Sequence, residues 1–327
     1  MAEKTLVQTI HDTLQEEMRN DDRVVTLGED VGARGGVFRV TMGFLDEFGE
    51  ERVIDTPLDE TLIAGVAIGM ALDGLRPVAE IQFADFIFPA FNQIVSEAAR
   101  IRYRSNGDFE CPMVIRAPYG GGVHGALYHS QSVEALFAHI PGLKVVAPST
   151  PYDVKGMLIK AIEDPDPVMF FEHKKAYRLI KDEVPDDRYT VDFGKAEVRR
   201  EGSDLTVVSY GLMHHFALEA AGKLAEDGIE AEVIDIRSIY PLDMDTVLES
   251  VGKTNKVIIV YEDNKFLGVG AEIAAQIAER ALFELDGPIV RVGGPHVPAM
   301  PYSPSLEHWF MPDAERIGAE MRKLAEF

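Results

Sequence analysis

Hydrophobic positions along the chain change repeatedly between two spacings, which predicts a regular succession of strands and helices. Short apolar runs predict buried strands at 24–27, 78–83, 113–116, 144–147, 168–171, 205–210, 231–236, 257–260 and 289–292. Amphipathic or Ala/Gly-rich segments predict helices at 5–20, 62–72, 89–104, 152–162, 212–226, 244–251, 271–283 and 313–325. This alternation is typical of an α/β fold with mostly parallel sheets covered by helices.

The pattern is interrupted between Lys174 and Gly202, where charged residues, Pro185 and Gly194 replace the apolar runs. Such composition indicates a linker, which can include a strand or two. We therefore expect a first domain at 1–185, a linker at 186–202 and a smaller α/β domain at 203–327.

Composition narrows the possible functions. The chain has 327 residues and a formal net charge of -23, so its surface repels nucleic acid and anionic membranes. That acidity either attracts a basic protein partner or only keeps the protein in solution. The single cysteine, Cys111, excludes a disulfide framework and a paired-cysteine zinc site.

The chain has no visible targeting or membrane signal. Its start, Met1–Thr5, lacks a basic segment followed by an apolar run, and no apolar stretch is long enough to span a bilayer. A cytoplasmic protein is expected, or one in the mitochondrial matrix if a eukaryotic targeting peptide has been removed.

Common nucleotide-site motifs are missing or incomplete. There is no P-loop, and Gly268 and Gly270 imitate a dinucleotide motif only in part, because Ile273 stands where the third glycine belongs. This segment indicates a helix start.

An acidic cluster, Asp55–Glu60, lies between a short predicted strand and the 62–72 helix. Glu60 would then lie at the carboxyl end of a sheet strand, where α/β proteins place ligand-binding groups. The alternative is a helix-start acid stabilised by the helix dipole, with Thr56 or Asp59 as the cap. Spacing alone favours the alternative.

Two further segments could carry chemistry. Three consecutive glycines precede His124 and His129, and glycine-rich loops with histidines suit proton transfer; a structural turn with hydrogen-bonded histidines is the alternative. Phe86, after the strand at 78–83, could stack on a planar ligand or belong to the core.

Taken together, the segments resemble one family, the beta subunits of thiamine-diphosphate-dependent 2-oxo acid dehydrogenases. Each motif alone is weak, but their order is specific and they cover nearly the whole chain: 27–31, 55–60, 81–86, 102–105, 124–132, 141–146, 233–237 and 298–302. The resemblance implies a thiamine pyrimidine-binding domain followed by a transketolase-like C-terminal domain.

The resemblance also implies roles for individual residues. Glu60 matches the glutamate that hydrogen-bonds the pyrimidine ring of the cofactor and activates it. Positions that line the pyrimidine pocket are matched by Leu58, Gln82 and Phe86, where some relatives carry Tyr in place of Phe86. His129 matches a histidine that assists acylation of the lipoyl group or orients the intermediate, and His124 matches one found in branched-chain members.

Two expectations concern cations. A structural potassium loop of relatives is matched by Met113, Ala161, Ile162, Asp164 and Asp166, where Asp166 replaces an Asn; a solvated acidic turn is the alternative. The Gly-Asp-Gly stretch and later Asn that hold magnesium and diphosphate are absent, since 106–109 lacks the second glycine. An alpha subunit should supply that half, in an assembly of two alpha and two beta chains.

The function implied is oxidative decarboxylation of branched-chain 2-oxo acids such as 3-methyl-2-oxobutanoate, followed by reductive acylation of the lipoyl group of an acyltransferase. The second domain would dock the small basic subunit-binding domain of that acyltransferase. Pyruvate dehydrogenase and acetoin dehydrogenase beta subunits are alternatives within the family. A non-catalytic scaffold subunit and a stand-alone transketolase-like enzyme are alternatives of other classes.

Overall fold

The computed structural model describes residues 1–327. The strands are β1 (Ala2–Thr5), β2 (Val24–Gly28), β3 (Val53–Asp55), β4 (Arg76–Glu80), β5 (Val114–Tyr119), β6 (Lys144–Val146), β7 (Val168–His173), β8 (Lys181–Val184), β9 (Glu197–Arg200), β10 (Leu205–Ser209), β11 (Ala231–Asp235), β12 (Ser238–Tyr240), β13 (Val257–Asn264) and β14 (Val290–Gly294). The α-helices are α1 (Leu6–Asn20), α2 (Phe44–Phe48), α3 (Glu60–Leu72), α4 (Ile101–Arg104), α5 (Glu134–Ala138), α6 (Pro151–Glu163), α7 (Ala176–Leu179), α8 (Gly211–Ala225), α9 (Met244–Thr254), α10 (Val269–Ala281), α11 (Pro304–Phe310) and α12 (Ala314–Ala325).

These elements form two units. The first comprises residues 1–119 and 136–192, and the second comprises 120–135 and 193–327. The chain therefore leaves the first unit between 192 and 193, inside the stretch expected to be a linker. The glycine-rich segment 120–135 belongs to the second unit, although the sequence pattern assigned it to the first domain.

The sheet of the first unit contains the strand order β6-β7-β5-β4-β2-β3, and all these pairings are parallel. From β2 the chain passes to β3 on one side, and then through α3 to β4 on the other side. A reversal of this kind opens a crevice at the carboxyl ends of the strands, which is where such sheets bind ligands. The mostly parallel sheet predicted from the sequence is confirmed.

Helix α1 shows why the segments fold as the pattern predicts. Leu6, Ile10, Leu14 and Met18 recur every four residues, form one apolar face and are buried. Thr5 accepts a hydrogen bond from the Gln8 amide in a capping box, which fixes where the helix begins.

The second unit has its own sheet, in the order β14-β13-β10-β11-β9. Only β9 runs antiparallel to its neighbour, while the other pairings are parallel. Buried apolar strands and flanking helices thus repeat the α/β architecture, which confirms the predicted second α/β unit.

The segment predicted as one helix at 89–104 is irregular. It consists of a 3-10 turn at Phe88–Ala90, a π turn at Gln93–Glu97, a second 3-10 turn at Ala98–Arg100 and the short helix α4. The Ala98 amide is shared between the carbonyls of Gln93 and Ile94, so the hydrogen-bond register shifts along the segment. A hydrophobic pattern cannot reveal such a shift.

None of the helices is both long enough and apolar enough to cross a lipid bilayer.

Candidate functional site

The carboxyl ends of β2, β3 and β4 bring the predicted cofactor residues of the first unit to one edge of its sheet. Glu29 follows β2, Glu60 follows β3, and Gln82 follows β4. The side-chain amide of Gln82 lies 3.5 Å from the Glu29 carbonyl oxygen and 3.5 Å from Oδ2 of Asp30. Segments that are far apart in sequence thus meet where the strand order reverses.

Glu60 is a buried acid at the first position of α3. The Glu60 residue is only 7% exposed to solvent. The helix is capped by a different residue, Asp59, whose Oδ1 accepts the Leu62 amide at 3.1 Å. Asp59 is thus the cap and Glu60 lies in the first turn, as the helix-start alternative expected, but helix-dipole stabilisation does not explain why Glu60 is buried, and this burial favours a ligand-binding role.

Glu29 is a second acid at this edge, and no sequence pattern indicates a role for it. Burial, followed by the nearby charge of Glu60, raises the pKa of Glu29 above its ordinary value. Its Oε1 atom is buried without a hydrogen-bond partner. The raised pKa of Glu29 means that this carboxyl holds a proton more readily than a free one, which suits an edge that exchanges protons with a ligand.

Apolar groups complete this edge. Phe86 is partly buried and packs edge-on against Phe83, with ring centroids 5.6 Å apart. Leu58 is 76% exposed. Both are available to a planar ligand or to a second polypeptide.

Gly28, the last residue of β2, allows β2 and β4 to approach closely at the same edge. A Cβ atom at this position would lie 2.6 Å from the Glu80 carbonyl oxygen, which no side chain can tolerate without a backbone shift. Because Glu29 follows directly, the missing side chain helps to set its position.

A buried ionic network supports the strands that carry these residues. Arg116 of β5 donates to Glu80 of β4 and to Glu172 of β7, and the Tyr177 hydroxyl donates to Glu172 at 2.5 Å. Burial raises the pKa of Glu80, although Arg116 opposes this effect. Burial and the Glu172 carboxylate raise the pKa of Tyr177 well above its ordinary value. The network joins three adjacent strands.

The predicted histidines lie in the second unit, on a loop that its own hydrogen bonds close. The Gly120 amide donates to the Gln131 carbonyl at 3.0 Å, and the Gln131 side chain donates to the Leu127 carbonyl at 3.0 Å. His124 and Ala126 adopt left-handed backbone angles, with φ of 56° and 54°. Such angles persist in residues other than glycine only where surrounding contacts hold them.

Two buried acids that no sequence motif indicated, Glu262 and Glu307, hold this loop. Oε1 of Glu262, in β13, accepts the Gly121 amide at 2.6 Å. Oε1 of Glu307, in α11, accepts the amides of Gly122 and His124 at 3.0 and 3.1 Å, while its Oε2 lies 2.5 Å from Nδ1 of His124. The Ser-Pro start of α11 was a sequence signal for this helix, since proline favours the first helical turn, but not for the role of Glu307.

A third buried acid lies behind the loop. Glu134 begins α5, and its Oε1 accepts the Tyr210 hydroxyl at 2.6 Å. Burial and then the Asp263 carboxylate raise the pKa of Glu134, and burial raises the pKa of Asp263 as well. Burial and the neighbouring carboxylates therefore favour the protonated forms of Glu134 and Asp263 relative to free acids.

The structure divides the predicted site residues between the two units. Leu58, Glu60, Gln82 and Phe86 lie in the first unit, where they share one sheet edge. His124 and His129 lie in the second unit, on the loop held by Glu262 and Glu307.

The carboxylates of the predicted potassium loop are already paired with cationic side chains. Asp164 lies 2.5 Å from the Lys144 ammonium group, and Asp166 lies 3.3 Å from it. Asp166 also accepts a hydrogen bond from Arg102. Lys144 and Arg102 thus supply the positive charge that a potassium ion would bring.

The backbone carbonyl oxygens of that loop also accept hydrogen bonds already. The carbonyl of Met113 accepts the Val168 amide, that of Ala161 accepts the Asp164 amide, and that of Ile162 accepts the Arg76 guanidinium. These residues as arranged do not fit a potassium ion. The structure also contains no group of three or more His, Cys, Asp or Glu side chains placed to hold a metal.

Comparison with known proteins agrees with this architecture. Residues 2–180 match the family described as transketolase, pyrimidine binding domain, and residues 194–317 match transketolase, C-terminal domain. A solved structure described as a split gene transketolase, inactive beta4 tetramer, superimposes with a TM-score of 0.80 at 25% identity, over 98% of each chain.

The similar curated sequences are more specific. The chain is 60% identical over 327 residues to 2-oxoisovalerate dehydrogenase subunit beta of Bacillus subtilis (strain 168), and 100% of both chains is covered. It is 48% identical to the pyruvate dehydrogenase E1 component subunit beta of the same organism, and 46% identical to that of Staphylococcus epidermidis, again over 100% of both chains. The chain therefore belongs to the beta subunits of the 2-oxo acid dehydrogenases, as its ordered motifs predicted.

Proposed function

We propose that this chain, together with an alpha subunit, forms a thiamine-diphosphate-dependent enzyme that oxidatively decarboxylates branched-chain 2-oxo acids such as 3-methyl-2-oxobutanoate. The same enzyme would then acylate the lipoyl group of an acyltransferase. The main support is the buried Glu60 carboxyl at the sheet edge where the strand order reverses.

The first-unit residues fit the aminopyrimidine end of thiamine diphosphate. Glu60 would share a proton with the pyrimidine ring nitrogen, while Phe86 and Leu58 would pack against the ring. Gln82, anchored near Glu29, would orient the same group. When bound, the cofactor supplies the thiazolium that accepts the electron pair released by decarboxylation.

We assign the other half of the cofactor site to the alpha subunit. The sequence lacks the Gly-Asp-Gly stretch and later Asn that would hold magnesium and diphosphate. The exposed Leu58 beside the buried Glu60 is what a site completed by another polypeptide requires. Two alpha and two beta chains, with the acyltransferase core docked through its small subunit-binding domain, make up the proposed assembly.

The branched-chain preference is supported by the similarities. Identity is 60% to the 2-oxoisovalerate enzyme subunit and 48% to the pyruvate enzyme subunit. Pyruvate is the second candidate substrate. One methylene changes enzyme selectivity by only about ten- to two-hundredfold, so a direct measurement must decide between them.

The test is a substrate panel on the chain co-expressed with its alpha subunit. Reduction of an artificial electron acceptor is measured with 3-methyl-2-oxobutanoate, pyruvate and acetoin, and the first should give the largest kcat/KM. The chain alone with cofactor and magnesium should not turn over, which separates this proposal from a stand-alone transketolase-like enzyme.

Glu60→Gln in the same assembly separates catalysis from scaffolding. We expect kcat to fall about 10²- to 10⁴-fold, because an amide cannot share the proton, while the tetramer stays intact by gel filtration. Glu50→Gln, at an exposed acid of the same unit, is the matched control and should keep full activity. Retained activity in Glu60→Gln would support the scaffold alternative.

A further inference from the structure

One carboxylate of the second unit contacts both the backbone and the ring of His124. Oε1 of Glu307 accepts the backbone amides of Gly122 and His124, and Oε2 lies 2.5 Å from Nδ1 of the His124 ring. The Glu307 side chain is 5% exposed, whereas the His124 side chain is 58% exposed. A buried acid therefore holds an exposed imidazole.

This contact defines the neutral form of the ring. An ionised carboxylate only accepts hydrogen bonds, so Nδ1 of His124 must carry the hydrogen that it donates. The lone pair of the neutral ring then lies on Nε2. The hydrogen bond at Nδ1 thus leaves Nε2 as the atom that can accept a proton, as in other sites where a carboxylate orients an imidazole.

The backbone contacts show that the arrangement is built into the fold. His124 has a left-handed φ of 56°, which is uncommon for a residue with a side chain. The hydrogen bonds from the Gly122 and His124 amides to Glu307 hold that conformation. The neighbouring Gly121 amide donates separately to Glu262. The same carboxylate thus sets both the position and the tautomer of the imidazole.

We propose that Glu307 is a positioning residue that acts through His124, by fixing its Nδ1–H tautomer so that Nε2 is presented as the hydrogen-bond acceptor to the lipoyl-bearing substrate. This inference rests on the proposed function, because it concerns the acyl transfer step of that reaction. Glu307 itself does not contact the substrate.

Glu307→Gln isolates the tautomer. Its remaining carbonyl oxygen can still accept the two backbone amides, but its NH2 group would face Nδ1 and favour the opposite tautomer. In the alpha–beta enzyme, we expect kcat/KM for reductive acylation of a free lipoyl domain to fall about 10- to 100-fold. Glu315→Gln, an exposed acid of α12, is the matched control and should show no loss.

A double-mutant cycle separates this role from a structural one. His124→Ala should lose at least as much activity as Glu307→Gln, and the double variant should be no worse than His124→Ala within about twofold. Losses that multiply would overturn the proposal, since Glu307 would then act without His124. If Glu307→Gln fails to fold, His124→Ala alone decides, because a fully active His124→Ala variant is incompatible with the proposal.

Nitrogen-15 NMR of the histidine-labelled alpha–beta assembly gives a readout independent of activity. We expect hydrogen on Nδ1 of His124 in the wild type and on Nε2 in Glu307→Gln. A wild-type ring with hydrogen on Nε2 overturns the inference. If the wild-type assembly turns over no 2-oxo acid, the proposed function fails, and the NMR result still decides the role of Glu307.

Discussion

Arg116 and Glu172 form a bidentate ion pair inside the first unit, in which Nε and Nη2 of the arginine each donate to one carboxylate oxygen at 2.7 Å. The third guanidinium nitrogen donates to Glu80, also at 2.7 Å. One cation therefore balances two acids that have almost no contact with solvent. The stability of this unit should depend on that balance.

Arg116→Met should lower the free energy of unfolding by about 3–5 kcal/mol, because it leaves two buried acids without their cation. Denaturant unfolding of the assembled enzyme would measure the loss. Arg178→Met, at an exposed arginine of the same unit, should change stability by less than about 0.5 kcal/mol. Equal effects of the two variants would contradict this account of the network.

Gly28→Ala should weaken both the fold and the binding of thiamine diphosphate. The added Cβ would lie 2.6 Å from the Glu80 carbonyl oxygen, so the end of β2 must move and carry Glu29 with it. We expect a loss of about 1–3 kcal/mol in stability and a higher cofactor Kd by calorimetry. Gly222→Ala is the control, since its Cβ meets no atom within 4 Å in helix α8.

Glu134 should make the free energy of unfolding fall as the pH rises from 4.5 to about 8. Burial raises its pKa from 4.5 to about 8, so the folded state keeps a proton that the unfolded state releases. The stabilisation is complete below pH 4.5 and is lost as pH rises toward 8. Glu134→Gln keeps an oxygen for the Tyr210 hydroxyl and removes the ionisation.

We expect Glu134→Gln to raise stability by about 1–3 kcal/mol at pH 9 and to have little effect at pH 5. Thermal unfolding across this range is the measurement. Glu279→Gln, at an exposed acid of the second unit, should shift stability equally little at both values. A wild type and a Glu134→Gln variant with parallel pH curves would refute the argument.

The ion pairs of the predicted potassium loop lead to a salt prediction. Because Lys144 and Arg102 already neutralise Asp164 and Asp166, potassium and sodium chloride of equal ionic strength should give the same Tm. Lys144→Met leaves Asp164 without its cation, so potassium chloride should raise the Tm of this variant more than sodium chloride does. A potassium-specific increase in the wild type would instead favour a bound ion.

Much of the fold could be predicted because the responsible residues act locally or through simple periodicity. Helix α1 follows from its apolar spacing, and α3 follows from an Ala/Gly-rich segment for which Asp59 was one of two candidate caps. Strand β1 was missed because its sequence, Ala-Glu-Lys-Thr, has no apolar alternation and is held only by pairing with β8. The irregular segment at 88–104 depends on a backbone N–H group that donates to two carbonyls at once, and a pattern of side chains does not indicate such a hydrogen bond.

The candidate site divides in the same way. Glu60 and the two histidines could be identified from motifs, since the relevant signals are contiguous in sequence. Glu307 could not, because its role depends on contacts with His124 and Gly122, which lie 183 and 185 positions earlier in the chain. Glu29 was quoted only within a motif, and its buried, unpaired oxygen becomes visible only when β2 and β4 are side by side.

The placement of residues 120–135 in the second unit limits how the chain can be divided by cloning. A fragment that begins at residue 193 would lack the Gly121 and Gly122 amides that Glu262 and Glu307 accept in the intact chain. Its solvent-excluded carboxylates would then need other donors or would have to take up protons. A truncation at residue 193 is therefore a poor route to an isolated C-terminal domain, and a graft that restores the loop is the sounder design.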